Sequence, residues 1–217
     1  MPPAAEFDPP HIDPERPLLI VDVDEVLALF MQGFGQFVAQ RGYEMRLERF
    51  ALFQNLYRPG EPECLDLETG RILFNDFFQH GSEDMLPAPD AADSLAALSH
   101  HATVVILTNA PDHAREPRSR WLIRHGMDYP LLINAGPKGG AVAALAARTA
   151  GPCAFVDDLI PNLDSAAEAA PSVHRFQLVA DPRLAALAPS APERHARIDD
   201  WLSLRAAILR VLGAPPA

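Results

Sequence analysis

The sequence predicts an α/β fold in which a parallel sheet carries helices on both faces. Apolar segments rich in Leu, Ile and Val, at residues 18–23, 103–108 and 153–157, have the composition of strands buried on both faces. Helical patterns alternate with these segments, which is typical of parallel sheets. Residues 30–85 interrupt the alternation and contain eight of the 11 phenylalanines. This concentration predicts a small second unit with its own aromatic core.

The other elements follow from hydrophobic periodicity and from helix-end residues. Strands are predicted at 18–23, 103–108, 130–134, 153–157 and 173–179, and helices at 90–99, 113–126, 138–150, 161–170 and 194–211. Pro137 is typical of a helix start, and Gly126 and Gly151 are typical of helix ends.

Residues 30–85 have a different pattern, with helical spacing around 34–40, 47–54 and 73–78. This predicts a mainly helical unit inserted after the first strand, in which residues 65–73 fit either a hairpin around Glu68–Gly70 or a loop. The chain then divides into an extended N-terminal arm (1–17), a core domain (18–29 and 86–212), the inserted domain (30–85) and a tail (213–217).

Polar side chains follow three of the predicted strands. They are Asp22 and Asp24 after the first, Thr108 and Asn109 after the second, and Asp157 and Asp158 after the fourth. In open α/β sheets, ligands bind outside the carboxyl ends of the strands. Carboxylates at this position can hold a hard cation, attack an electrophile or transfer a proton.

Lys138 is the only lysine in a chain with 17 arginines, and it lies at the start of a predicted helix. One interpretation is a chance surface lysine. The other is a site that needs a compact ammonium charge, for which arginine is no substitute. The position of Lys138 between Thr108 and the Asp157–Asp158 pair favours the second interpretation.

This ordered set of motifs resembles the haloacid dehalogenase superfamily, in particular its phosphatase branch with a small helical cap. The resemblance implies a Rossmann-like core in which the strand leading to Asp22 is central, flanked by the strands that end at Thr108 and Asp157. It also implies that residues 30–85 are the cap, a lid that excludes water and selects the leaving group. It implies Asp22 as nucleophile, Asp24 as general acid and base, Thr108 and Lys138 as phosphoryl ligands, and Mg²⁺ held by Asp22, Asp24, Asp157 and Asp158. True dehalogenases lack the second aspartate of the first motif, so Asp24 argues against dehalogenation.

The chemistry is consistent with these roles. A phosphate monoester is dianionic and repels a carboxylate nucleophile, so Mg²⁺ and Lys138 are needed to neutralise the charge. Asp22 would form an aspartyl-phosphate, Asp24 would protonate the leaving alkoxide, and the Thr108 hydroxyl and Asn109 backbone N–H would donate to phosphoryl oxygens. We therefore expect a Mg²⁺-dependent hydrolase of small phosphate monoesters.

Alternatives remain at this point. A phosphomutase uses the same four motifs, and a non-catalytic phosphate-binding protein is a further possibility. A phosphonate hydrolase of this superfamily needs a cap lysine, which residues 30–85 lack. A phospho-signalling receiver domain has its motifs in a different order.

Composition limits the possible partners and compartment. The net charge of −11 disfavours nucleic acid and anionic membranes as partners, and a small phosphorylated metabolite is the expected one. The chain shows no signal-peptide pattern, and its two cysteines, Cys64 and Cys153, indicate no disulfide framework, so a cytoplasmic location is expected. Arginines of residues 30–85 are candidates to meet an anionic substrate. Oligomeric state is left open.

Overall fold

The computed structural model describes residues 10–213. The strands are β1 Leu18–Val21, β2 Glu44–Met45, β3 Leu56–Tyr57, β4 Thr103–Asn109, β5 Leu131–Asn134, β6 Cys153–Asp157, β7 His174–Gln177 and β8 Ala196–Arg197. The helices are α1 Phe30–Gln40, α2 Leu67–His80, α3 Ala91–Ser99, α4 Arg115–Arg124, α5 Gly139–Ala146, α6 Ile160–Ala169, α7 Pro182–Ala185 and α8 Trp201–Val211. Residues 1–9 of the predicted arm and 214–217 of the predicted tail lie outside the described range.

Six strands form one parallel sheet in the order β5-β4-β1-β6-β7-β8. The central position of β1 is confirmed, because it lies between β4 and β6. Val21 is in register with Ile106 of β4 and Val156 of β6. The residues that follow these three strands therefore emerge at one edge of the sheet.

Helices cover both faces of this sheet, as the sequence predicts. Alternate residues of β1 point to opposite faces, so Leu19 and Val21 pack with side chains of α3, α4 and α8. Leu18 and Ile20 pack on the other face with side chains of α5 and α6. This arrangement explains the continuous apolar runs, because a strand between two helical layers has no polar face.

Residues 30–85 pack around two helices, α1 and α2, with a short antiparallel pair of strands, β2 and β3, between them in sequence. Phenylalanines of both helices interlock, and the Phe74 and Phe78 rings meet edge to face with centroids 4.7 Å apart. Phe30 of α1 contacts Phe77 of α2 in the same geometry at 5.4 Å. The predicted aromatic core of this unit is thus present.

Three local predictions are wrong. Residues 65–73 form neither a hairpin nor a loop but begin α2, because the Asp66 carboxylate accepts hydrogen bonds from the Thr69 backbone N–H and hydroxyl, both at 2.8 Å. Residues 47–54 form a loop rather than an α-helix, because the buried Asn55 side chain fixes the backbone there by donating a hydrogen bond to the Arg49 carbonyl. The helix predicted at 194–211 begins at Trp201, after the edge strand β8, with Asp200 capping it through the Ser203 N–H.

Among residues 10–213, no helix has the length and apolar character needed to cross a bilayer.

Candidate active site

Three carboxylates meet at the carboxyl end of the central strands. Asp22 follows β1, Asp157 ends β6, and Asp158 is the next residue; all three are buried. One oxygen from each lies within 4.8 Å of one from each of the others. We call Asp22, Asp157 and Asp158 the acidic cluster.

Lys138 connects two members of this cluster. Its side chain is fully buried, and Nζ lies 2.7 Å from Asp22 Oδ1 and 2.7 Å from Asp157 Oδ2. Burial alone would lower the pKa of Lys138, but the charges of Asp157 and Asp22 outweigh burial and raise it, so the ammonium form is held. The interpretation of Lys138 as a surface lysine is therefore wrong.

A close helix contact places Lys138 at this point. Lys138 immediately precedes α5, and Gly139 packs directly on α6, where its N–H donates to the Ser165 hydroxyl at 3.0 Å. A Cβ at Gly139 would lie 2.1 Å from the Ser165 carbonyl oxygen, whereas a Cβ at Gly140 would meet open space. The Gly139 position therefore requires glycine if α5 is to stay this close to α6.

The two adjacent aspartates have different surroundings. Asp157 Oδ1 accepts from the Leu159 N–H at 2.9 Å and the Asn162 amide at 3.0 Å, and Oδ2 accepts from Lys138. Within residues 10–213, no group donates a hydrogen bond to the Asp158 carboxylate. Burial raises the pKa of Asp157 to about 6, and burial and neighbouring negative charges raise the pKa of Asp158 well above its ordinary value. Asp158 is thus the carboxylate that lacks a counter-charge.

The acidic cluster suits a hard divalent cation. Three carboxylates and one ammonium carry a formal charge of about −2, which one divalent cation would balance. Asp22 Oδ1 is buried and receives no well-aligned hydrogen bond from the described residues, despite its proximity to Lys138 Nζ. Lys138 thus contacts Asp22 Oδ1 and Asp157 Oδ2, and Asp157 Oδ1 accepts two further hydrogen bonds. Among the described residues, the oxygens of the cluster that remain free to hold Mg²⁺ are Asp22 Oδ2 and those of Asp158.

Asp24 does not join the acidic cluster. Its carboxylate accepts two hydrogen bonds from the fully buried Arg118 of α4, at 2.8 and 2.9 Å. Burial raises the pKa of Asp24, Arg118 lowers it, and Asp22 raises it; the net direction is upward. Asp24 therefore lies outside the acidic cluster, and its metal contact stays a prediction, whereas a raised pKa is what a general acid requires.

Thr108 and Asn109 end β4 beside the acidic cluster. The Thr108 hydroxyl is fully buried and has no hydrogen-bond partner among the described residues. Asn109 is held in place, because its amide donates to the Gly136 carbonyl at 3.0 Å and its side-chain oxygen accepts from Asn134 at 2.8 Å. A buried hydroxyl without a hydrogen-bond partner destabilises the folded protein, unless a ligand oxygen accepts its hydrogen bond.

A cavity of about 240 Å³ opens over these residues. Its floor includes Asp22, Asp24, Asp158 and Asn109. Its walls combine side chains of residues 30–85 with Leu159 and Leu184 of the core. The site therefore lies where the insertion meets the carboxyl edge of the sheet, as ligand sites of open α/β sheets do.

The same architecture occurs in known structures. A haloacid dehalogenase-like hydrolase from Streptococcus pneumoniae matches 88% of this chain and 97% of its own, with 13% identity and a TM-score of 0.59. YfnB from Bacillus subtilis, a candidate HAD hydrolase solved with magnesium, matches 91% of this chain and all of its own, with 14% identity and a TM-score of 0.61. The chain has the haloacid dehalogenase fold.

A candidate β-phosphoglucomutase from Thermotoga maritima shares this fold, with a TM-score of 0.53, 14% identity and coverage of 90% and 99% of the two chains. No protein-family model matches the chain, and no curated protein does. The insertion at residues 30–85 occupies the position predicted for the cap, and we use that name for it below.

The fold brings Lys138 into contact with two members of the acidic cluster. It places the other predicted site residues of the core at the same edge of the sheet, namely Asp24, Thr108 and Asn109. Sequence reasoning missed Arg118, although Ala114, Trp121 and Leu122 lie at helical spacing from it and are all buried. An arginine on the apolar stripe of a helix was the available signal. It also missed Glu25, a buried residue in the left-handed region with φ of 59°.

Glu25 links the segment after β1 to α1 and to the loop before α7. Its Oε1 accepts from the Met31 N–H at 2.7 Å, at the start of α1, and its Oε2 accepts from the Asp181 N–H at 3.3 Å. Burial raises the pKa of Glu25 to about 7. Left-handed backbone in a non-glycine residue persists only where the surroundings fix it, and these two hydrogen bonds do so.

Proposed function

We propose that this protein is a Mg²⁺-dependent phosphomonoesterase that acts through an aspartyl-phosphate on Asp22. The observation that carries the proposal is the state of Asp22, a buried carboxylate that lines the cavity and whose Oδ1 lies 2.7 Å from Lys138 Nζ. A buried carboxylate that lines the cavity and contacts an ammonium group is positioned for nucleophilic attack.

The first chemical step transfers the phosphoryl group to the protein. An Asp22 oxygen attacks phosphorus, the bond from phosphorus to the ester oxygen breaks, and Asp24 gives its proton to that oxygen. Lys138 stabilises the negative charge on the transferring group, and the Thr108 hydroxyl donates to one of its oxygens. Mg²⁺, held by Asp22 and Asp158, would supply the remaining charge neutralisation.

The second step releases phosphate. Asp24, now ionised, takes a proton from water, the water oxygen attacks phosphorus, and the bond to Asp22 breaks. Arg118 keeps Asp24 oriented throughout, because both of its terminal nitrogens bind the carboxylate. The magnesium-bound relative from Bacillus subtilis was solved in a form that reveals interdomain movement, which supports a cap that opens between turnovers.

A phosphomutase is the second candidate, favoured by the similarity to the candidate β-phosphoglucomutase. The two activities differ in the acceptor of the second step, which is water in a hydrolase and a sugar hydroxyl in a mutase. Turnover of glucose 1-phosphate distinguishes them, since a hydrolase releases inorganic phosphate and a mutase releases glucose 6-phosphate.

Trapping of the intermediate tests the proposal directly. Acid-quenched turnover mixtures are reduced with borohydride, which converts an aspartyl-phosphate into homoserine, and the chain is mapped by mass spectrometry. We expect homoserine at position 22 and a loss of at least roughly a thousandfold in kcat for Asp22→Asn. The exposed Asp93→Asn serves as the matched control with unchanged kcat. Homoserine at position 157 or 158, or full activity of Asp22→Asn, would overturn the proposal.

A further inference from the structure

The cavity above Asp22 has an acidic floor and apolar walls. Eight of its 14 lining residues are apolar, and the others are four carboxylates and two amides. The cap contributes Phe30, Phe50, Leu52 and Phe74 to the walls, and the core contributes Leu159. Within residues 10–213, no arginine, lysine or histidine lines it.

We propose that the substrate is a phosphate monoester whose leaving group is compact, uncharged and apolar, held between the cap phenylalanines and Leu159. This inference rests on the proposed function and adds the substrate class to it. The phosphoryl group would occupy the acidic floor with its cations, so the leaving group must extend toward the apolar walls.

The cap arginines do not alter this environment. Arg41 pairs with Asp76, Arg46 with Glu44 and Arg49 with Glu48, and none of the three arginines lines the cavity. Arg58 and Arg71 are exposed and do not line it either. The expectation that a cap arginine meets an anionic substrate is therefore not supported.

The two cations that contact the predicted site carboxylates are already engaged. Lys138 binds Asp22 and Asp157, and Arg118 binds Asp24 with both terminal nitrogens. A second phosphate or a carboxylate on the leaving group would enter among apolar side chains, without a cationic partner among the residues that line the cavity. Desolvating an unpaired charge is strongly unfavourable, which disfavours bisphosphates and phosphorylated acids.

Cavity volume limits the size of the leaving group. At about 240 Å³ the cavity is smaller than the roughly 300–1,000 Å³ of typical small-molecule sites. Four to six carbon atoms beyond the phosphoryl group fill such a space, on the order of a short alkyl chain or one ring. Sugars of that size fit but leave their hydroxyl groups facing Phe and Leu side chains, without hydrogen-bond partners.

Three compact esters of primary alcohols test the proposal. We expect kcat/KM to fall in the order n-butyl phosphate, glycerol 3-phosphate and 3-phosphoglycerate, with a gap of at least roughly tenfold at each step. Binding of butylphosphonate and 4-phosphonobutanoate in the presence of Mg²⁺, measured by calorimetry, gives the same comparison without hydrolysis. Butylphosphonate should bind at least roughly tenfold more tightly.

Leu159→Arg adds a cation to the wall at low risk to folding, because Leu159 is 40% exposed. Leu159→Arg should reduce the ratio of kcat/KM for butyl phosphate to kcat/KM for 3-phosphoglycerate by roughly tenfold or more. Leu202→Arg is the matched control, since Leu202 is 50% exposed on α8 and does not line the cavity. The control should leave the gap unchanged.

Each outcome decides the question. Preference of the wild-type protein for 3-phosphoglycerate over butyl phosphate, or a gap that Leu159→Arg leaves intact, would overturn the apolar assignment. If no ester is hydrolysed, the proposed function fails, and the phosphonates still decide the apolar site. In that case, tighter binding of butylphosphonate than of 4-phosphonobutanoate supports the apolar site. Equal affinity for the two phosphonates, or tighter binding of 4-phosphonobutanoate, refutes it.

Discussion

Arg118 and Asp24 form a two-pronged ion pair, in which each terminal guanidinium nitrogen donates to one carboxylate oxygen at 2.8 or 2.9 Å. The guanidinium carbon also lies 5.0 Å from the centre of the Phe78 ring in α2. The proposed general acid is therefore positioned by a core helix through a residue that itself packs against the cap. Two parallel hydrogen bonds fix both the position and the plane of a carboxylate.

Replacement of Arg118 should change the pH profile as well as the rate. Arg118 lowers the pKa of Asp24, so Arg118→Met should raise that pKa further. The acid then stays protonated to higher pH, and the alkaline limb of kcat/KM for an alkyl phosphate should shift upward. The maximal rate should fall by roughly tenfold or more, because the carboxylate loses its fixed orientation.

A neighbouring arginine provides the control for this test. Arg120 lies on the same helix but is exposed and pairs with Glu83, so Arg120→Met should leave the pH profile unchanged. In the Asp24→Asn background, Arg118→Met should cost little further activity. Full additivity of the two losses would show that Arg118 does not act through Asp24.

The Thr108 hydroxyl should separate stability from activity. It is buried without a partner, so Thr108→Val removes an unsatisfied polar group at nearly constant shape. We expect the free energy of unfolding to stay the same or rise by up to about 1 kcal/mol. We also expect kcat/KM to fall by roughly tenfold or more, because a phosphoryl oxygen loses its donor. Denaturant melts and kinetics on one preparation check both; a loss of stability with full activity would contradict the assigned role.

Lys138 should tolerate no other cation. Its Nζ lies 2.7 Å from two carboxylates in a fully enclosed position, and the wider planar guanidinium of Lys138→Arg cannot reproduce this geometry. Both Lys138→Arg and Lys138→Ala should reduce kcat by at least roughly a hundredfold. Arg148→Lys, an exchange at an exposed position, is the control. Thermal melts separate misfolding from lost chemistry, and a fully active Lys138→Arg would refute the role.

The sequence could predict the site because of a property of parallel sheets. Polar residues that follow buried parallel strands emerge at the same edge. The resemblance to the haloacid dehalogenase superfamily implied the strand order that places Asp22, Thr108 and Asp157 side by side. Arg118 follows no such rule. Its partner lies 94 residues earlier in the chain, and its burial depends on how α4 packs, which is a tertiary contact.

The cap was harder to predict for a related reason. Helical spacing at 47–54 suggested a helix, but the buried Asn55 side chain holds the loop by hydrogen bonds to its carbonyl groups. The α2 helix starts at Leu67 because the Asp66 side chain caps it. The aromatic pattern that predicted a helix covers only Leu73–Phe78, so it did not indicate this earlier start. Side-chain hydrogen bonds to the backbone override hydrophobic periodicity in such short segments.

The acidic cluster should make metal binding depend on pH. The pKa of Asp157 is raised from its ordinary 3.8 to about 6, and burial and the neighbouring carboxylates raise the pKa of Asp158 well above its ordinary value. Without a cation, the folded state binds more protons than the unfolded chain across this window, so its stability falls as pH rises from about 4 to 6 and beyond. Mg²⁺ offsets the repulsion between the ionised carboxylates of the cluster, and this repulsion is greatest at high pH. The increase in Tm on adding Mg²⁺ should therefore be larger at about pH 8 than at about pH 5.

Single substitutions identify the carboxylate responsible. Asp158→Asn should abolish most of the Mg²⁺-induced increase in Tm, because this carboxylate has no other partner. Asp157→Asn should lower Tm even without metal, because it weakens the hydrogen bonds that Asp157 accepts from Lys138 and Asn162. Thermal melts with Mg²⁺ or with chelator at both pH values provide the measurement. An increase that is equal at the two pH values would contradict this model of the cluster.

Two adjacent glycines at the start of α5 should respond oppositely to the same change. A Cβ at Gly139 would lie 2.1 Å from the Ser165 carbonyl oxygen, so Gly139→Ala must push α5 away from α6 and displace Lys138. Gly140 has no atom within 4 Å of a Cβ, so Gly140→Ala should stabilise the helix by about 0.5–1 kcal/mol. We expect Gly139→Ala to destabilise the protein by about 2 kcal/mol or more.

Activity should follow the position of Lys138 in this pair of variants. Gly139→Ala should lose kcat even at temperatures where it remains folded, because Nζ no longer reaches both Asp22 and Asp157. Gly140→Ala should retain wild-type kcat, which makes it the matched control for alanine at a helix start. Chemical denaturation and kinetics below the unfolding transition measure both effects. A Gly139→Ala variant with wild-type stability and kcat would mean that α5 can move away from α6 without disturbing Lys138, and that the close contact does not position the site.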